Sequence, residues 1–139
     1  MKELSAKEAL EYGVSTYHNQ MDNGEKRFRL STQSGSSYIL TIDPAENAWQ
    51  NSHYHEKKKE FYVVEKGWIL IAVLEEDGVK IRKLGADESM FVPSGVKHNV
   101  YMTTDAIVHT VKYGTEEMDW IPCPELDEML KTVEVEEFI

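Results

Sequence analysis

Turn residues cut the middle of this chain into short β-prone runs, and that punctuation limits the fold more than any other feature. Phe28–Thr32 and Tyr38–Ile42 flank Gln33-Ser-Gly35-Ser, the pattern of a hairpin. Asp43-Pro44 closes the second of these runs. Trp49–His55, Glu60–Glu65 and Trp68–Leu74 follow, rich in the β-branched and aromatic residues that suit a pleated surface. Asp77-Gly78 then separates Val73-Leu74 from Val79-Lys-Ile-Arg82, a strong signal for a tight hairpin. With Met90–Val92, His98–Thr103 and Ala106–Tyr113 the chain holds at least eight β-segments. Short strands at this spacing predict an antiparallel sandwich or barrel.

The two ends read differently. Ser5 and Glu8 form a capping box with Leu4 as its staple, and Gly13 stops the short helix that follows. Leu4, Ala9 and Leu10 are expected to pack that helix on the body. At the other end, Pro124 to Lys131 has proline at a first helical position, acids in the first turn, and Leu126, Met129 and Leu130 on one face. Val133-Glu-Val135 alternates like a strand. This tail could cover the barrel or reach a second subunit.

Composition narrows the class of partner. At 139 residues, residues 1–139 are expected to form one domain, with a homodimer as the expected assembly. The net charge of −10 disfavours a nucleic-acid backbone or an anionic membrane as partner and leaves a small-molecule substrate. The lone Cys123 cannot form an internal disulfide. The N-terminus shows no signal-peptide pattern, and the apolar run Trp68–Leu74 is far short of the ~20 residues a membrane helix needs. A cytoplasmic location is the expectation.

The chemistry concentrates in two stretches. His53 and His55 lie two apart, so an extended chain projects them to one side. A bend at Glu56–Lys59 would return Glu60 beside them. His98 follows the turn Pro93-Ser-Gly95 and opens a further β-prone run. Three neutral imidazoles and a carboxylate suit Fe, Mn, Co, Ni, Cu or Zn. Four such ligands on an ion that prefers six leave two places for water or substrate.

The pattern His53-x-His55-x4-Glu60-x6-Gly67 resembles the first motif of the cupins, and Pro93-x-Gly95-x2-His98 resembles the core of the second. The motifs and the segment between them span residues 47–102. The resemblance implies an all-β fold, an antiparallel double-stranded β-helix or jelly-roll barrel with short N- and C-terminal helices. It implies His53, His55, Glu60 and His98 as ligands to a divalent transition metal, and Gly67, Pro93 and Gly95 as turn residues. The sequence departs from the motifs at Asn47 and Asp87, where glycines usually open them, and at Met102, where an asparagine is common. Asn and Asp tolerate left-handed backbone, so both turns can form.

Parity along the strands suggests what surrounds the ligands. Tyr62 and Val64 share the face of Glu60; Val100 and Met102 share that of His98. Tyr62 could contact substrate. His109 shares its face with Ile107 and Val111 and reads first as a core histidine, with a catalytic role as the alternative. His18 reads as solvated, Lys57-Lys58-Lys59 as a solvated loop able to attract an anion, and Trp120 as a surface anchor.

The His53-Tyr-His55 and Glu60-Phe-Tyr-Val-Val segments are similar to sugar-isomerase cupins. That implies a metal acting as Lewis acid on a small polyhydroxy compound, such as a sugar or sugar phosphate, with Glu60, Tyr62 and His109 as candidates for proton transfer. A non-haem iron dioxygenase, using the same open positions in a drier cavity, is the second expectation. A non-catalytic metabolite sensor is the third.

Overall fold

The computed structural model describes all 139 residues. Helix α1 (Ala6–Glu11) carries the expected capping box, with the Ser5 hydroxyl accepting from the Glu8 amide. None of its residues is fully buried; Ala9 is half-buried, but Leu4 and Leu10 lie exposed, so the expected packing on the body is limited to one of the three apolar positions. Strands β1 (Val14–Gln20), β2 (Lys26–Thr32) and β3 (Ser37–Ile42) follow as a meander. Sequence reading missed β1 because Val-Ser-Thr-Tyr-His-Asn-Gln is polar and covers no core. Its partner β2 fixes it instead.

The expected strand Trp49–His55 is two short bridges, β4 (Ala48–Trp49) and β5 (His53–Tyr54). Then come β6 (Lys59–Lys66), β7 (Trp68–Glu75), β8 (Gly78–Gly85), β9 (Ser89–Val92), β10 (His98–Met102) and β11 (Ile107–Tyr113). The bridge β12 (Ile121–Pro122) precedes helix α2 (Pro124–Leu130). Val133 to Val135 form no strand; a 3-10 helix occupies Val135–Phe138. No helix is long and apolar enough to cross a membrane.

The strands form two antiparallel sheets, with neighbours in the order β1-β2-β3-β11-β6-β9 and β12-β5-β10-β7-β8, and with β4 beside β10. This is the jelly-roll arrangement. Between the sheets lies a core of Tyr62, Val64, Ile69, Ile71, Leu84, Val92, Val100, Met102, Ala106 and Val108. The alternate residue Ala72 faces the other way, where Leu126 and Leu130 of α2 and Cys123 cover it. The tail therefore closes the outer face of the second sheet, which is why β7 is apolar on both sides.

Two turns aim the strands that matter. Gly67 joins β6 to β7 at φ 75°, and a Cβ there would lie 3.1 Å from the Ala106 Cα. Asp87 takes φ 67°, the left-handed conformation that its motif position requires. Asn47 does not take it; its side chain instead accepts from the Thr104 amide at 2.8 Å. Gly67→Ala should lower unfolding stability by about 1–2 kcal/mol, the cost of a side chain in left-handed backbone, with an unchanged denaturant slope in urea titration.

Candidate metal centre

The three motif histidines sit on the second sheet and the loop leaving it, and Glu60 on the first. His53 on β5 pairs directly with His98 on β10. The chain then leaves β5 through His55, and β6 opens with Glu60 facing inward. All four residues are buried. The Nε2 atoms of His53, His55 and His98 lie 3.1, 2.6 and 2.9 Å from one oxygen of Glu60, Oε1. His53, Glu60 and His98 each offer a donor atom within 4.8 Å of the others, and His55 joins the group through Glu60.

The other ring nitrogens decide the chemistry. Nδ1 of His53 faces the Asn51 carbonyl at 3.0 Å, Nδ1 of His98 faces the Val96 carbonyl at 2.8 Å, and Nδ1 of His55 bonds the Asp119 carbonyl. A carbonyl oxygen only accepts, so each Nδ1 carries a proton. In a neutral ring each Nε2 then presents a lone pair. Three lone pairs converge on a carboxylate oxygen, itself an acceptor. The Nε2 of His55 is buried without any hydrogen-bond partner, although Glu60 is within reach. Such a cluster is stable only around a positive charge. A divalent transition metal fits the donor set, and backbone-oriented imidazoles are the usual way of presenting one.

Burial by itself would raise the Glu60 pKa, and only positive charge at His53, His55 and His98, whether protons on the rings or a metal ion between them, holds it below the ordinary carboxylate range. Burial lowers the His53 pKa, only partly offset by Glu60. The Tyr62 hydroxyl donates to the second oxygen of Glu60, Oε2, at 2.6 Å and lies 3.3 Å from His98 Nε2. Burial, followed by the charge of Glu60, raises the Tyr62 pKa well above the phenolic value, so the group stays protonated.

A cavity of about 100 Å³ opens onto His53, Glu60 and Tyr62. Its inner wall is apolar, with Ile39, Val100, Met102 and Val108; its other wall carries Arg27, Thr41, Gln50, Asn51, Thr110 and Lys112. Met102 thus points inward as its parity indicates. His109 does not reach this cavity. Thr110 and Lys112 are the inward residues of β11, so His109 projects from the outer face. There its Nδ1 contacts the Tyr38 hydroxyl at 2.7 Å and its Nε2 contacts Glu65 at 2.8 Å. It is neither a core histidine nor a member of the centre.

Sequence reading also missed a support. The Asp119 carboxylate accepts from the amides of Glu56, Lys57 and Lys58, each at 2.8 Å, while its carbonyl accepts from His55. Burial would raise its pKa, but the three amides hold it low. The adjacent Trp120 is exposed at the surface, as expected, but also stacks on His53, with ring centroids 5.3 Å apart, and lines the cavity mouth. The bridge of Ile121 and Pro122 with Tyr54 and His53, invisible in local pattern, helps bring this segment there.

A barrel of this topology with a buried His/Glu/His cluster defines a small metal-binding β-barrel protein. The family profile of the cupin domain matches residues 38–112, and the chain belongs to that family. Among solved structures it is similar to oxalate decarboxylase from Bacillus subtilis at pH 4.6, with 15% identity and a TM-score of 0.63 over 88% of this chain and 36% of that one. The same enzyme studied for its Mn(II) centers matches at 15% identity and a TM-score of 0.63, over the same shares of 88% and 36%. A tryptophan-to-tyrosine variant of that enzyme matches at 15% and 0.60, over 74% of this chain and 28% of that one. The chain therefore spans about a third of those chains, and the likeness is one of fold. A search of curated proteins finds no match.

Two outcomes follow from this geometry. Asp119→Asn should weaken metal binding by about 10–100-fold, the usual effect of loosening a ligand's support, in titration with a competing chelator. Acidification should destabilise the protein. His53 binds its proton less readily when folded than when unfolded, so stability falls as pH drops below the ordinary 6.5. Glu60, whose pKa is also lowered, adds a further loss below its ordinary 4.5. Melting temperatures across that range, with and without chelator, check both the sign and the release of metal.

Proposed function

We propose that this protein is a metal-dependent enzyme that moves a proton on a small polyhydroxy compound, in the manner of an isomerase. The observation that carries this reading is the Tyr62 hydroxyl. It is a buried, protonated donor in contact with both Glu60 and His98, at the wall of a cavity whose other residues are half hydrogen-bonding. The polar wall of Thr41, Gln50, Asn51 and Thr110 suits hydroxyl groups. It disfavours the dry pocket expected for a dioxygenase.

In this reading His53, His55, Glu60 and His98 hold the ion. When bound, it supplies Lewis acidity that polarises a carbonyl and acidifies an adjacent hydroxyl. Glu60 meets the histidines through Oε1, and its other oxygen, Oε2, accepts from the Tyr62 hydroxyl. When substrate binds, the single Tyr62 proton turns from Oε2 to the substrate carbonyl oxygen and hydrogen-bonds it as negative charge develops there. The Oε2 so freed takes the proton from the carbon beside the carbonyl and returns it to the carbonyl carbon, while the proton of the adjacent hydroxyl passes to the former carbonyl oxygen. Trp120 and the apolar inner wall exclude water from that side. His109, on the outer face, has no part in the reaction.

The deciding experiment is anaerobic incubation of protein loaded with Mn, Fe, Co, Ni or Zn with aldoses and ketoses in deuterium oxide, followed by NMR. Deuterium entering the carbon next to the carbonyl, and stopped by chelation, supports the reading. Oxygen consumption with Fe(II) and no exchange would replace it with the dioxygenase. Tyr62→Phe should lower kcat by about 10²–10⁴-fold while metal content stays at the wild-type level.

A further inference from the structure

The cavity contains a cation with no counterpart. Lys112 lies directly opposite Glu60 in the β11–β6 register, and both side chains point inward. Opposed residues on one face place their Cβ atoms about 4.5–5.5 Å apart. Yet Lys112 forms no ion pair and no side-chain hydrogen bond, because Glu60 is turned to the histidines and Tyr62. Arg27 lines the same cavity. Its Nε and Nη2 bond Glu25 Oε1 at 3.3 and 2.7 Å, which leaves Nη1 free for a ligand. Glu25, fully buried, also accepts from Gln50, so the guanidinium is fixed in place.

Charge sharpens the point. A divalent ion held by neutral imidazoles and one carboxylate keeps one positive charge, and Lys112 adds another. Arg27 is offset by Glu25. Burial, and the nearby Arg27, Lys58 and Arg29, all disfavour the charged form of Lys112, and only Glu60 supports it. A chain with net charge −10 has thus gathered cations at one opening. An uncompensated cation in a cavity costs stability and is a site for an anion.

We propose that Lys112, with Nη1 of Arg27 beside it, binds an acidic group, a carboxylate or a phosphate, of the substrate whose oxygens face the metal ligands. This deepens the reading above, and its substrate role rests on that reading. The substrate class becomes polyhydroxy acids or their phosphorylated equivalents rather than neutral sugars.

Isothermal titration calorimetry separates the possibilities. Inorganic phosphate should bind the metal-free protein and lose about tenfold or more in affinity in Lys112→Gln and Lys112→Met, a charge-assisted contact being removed. Both variants should melt at or above the wild-type temperature, since a cation without a partner is removed. On metal-loaded protein, gluconate or sorbitol 6-phosphate should bind about tenfold or more tighter than sorbitol, with the gap closing in the variants; the acid that wins identifies the group. Equal binding of sorbitol and both acids, or a gap that persists without Lys112, overturns the proposal. Phosphate loss in the variants with no binding of any polyol keeps the anion site and rejects the polyhydroxy reading. Sorbitol binding with phosphate affinity unchanged in both variants does the reverse.

Discussion

Four acceptors that face one another with no hydrogen between them organise this molecule. Carbonyls of Asn51, Val96 and Asp119 each accept from an imidazole Nδ1, and in doing so turn three Nε2 lone pairs onto Glu60. In water such a cluster would disperse. Here the β5–β10 pairing and the inward face of β6 hold it together, and the cost of that convergence is offset once a cation enters. The surrounding jelly roll supplies rigidity: β7 is buried on both faces, so the sheet that carries His98 cannot easily shift.

The centre has two different flanks. Tyr62, Val100 and Met102 form a close, largely dry side, where a phenol keeps its proton. Arg27, Gln50 and Lys112 form a polar side that opens outward. In the function proposed above, a substrate is gripped through its charge at one end and worked on at the other. This division of labour follows from strand parity, since Glu60 and Tyr62 share a face of β6 while Lys112 and Thr110 share the matching face of β11.

Much of this was legible in the sequence, and the failures have common causes. The strands of the barrel, the hairpin at Asp77-Gly78 and the inward Met102 follow from local period and turn chemistry, which also put His53 and His55 on one side; the meeting of those two with Glu60 and His98 was legible through the resemblance to the cupin motifs. His109 failed because parity gives two faces but does not say which is inside; Thr110 and Lys112, its polar neighbours, took the interior. Strand β1 failed because its pairing comes from β2 rather than from its own apolar pattern. Asp119, Trp120 and Arg27 reach the centre by long-range pairing, which no window along the chain contains. The Val133–Val135 alternation pairs with no strand and gives way to a 3-10 helix.

The clamp from Asp119 reaches back 61 to 64 residues to hold the loop that follows His55. During synthesis from the N-terminus, all four side chains that surround the ion's place leave the ribosome before that clamp does. The orientation of His55 thus depends on a segment that lies later in the chain than every ligand, whereas His53 and His98 are each oriented by a carbonyl only two residues away.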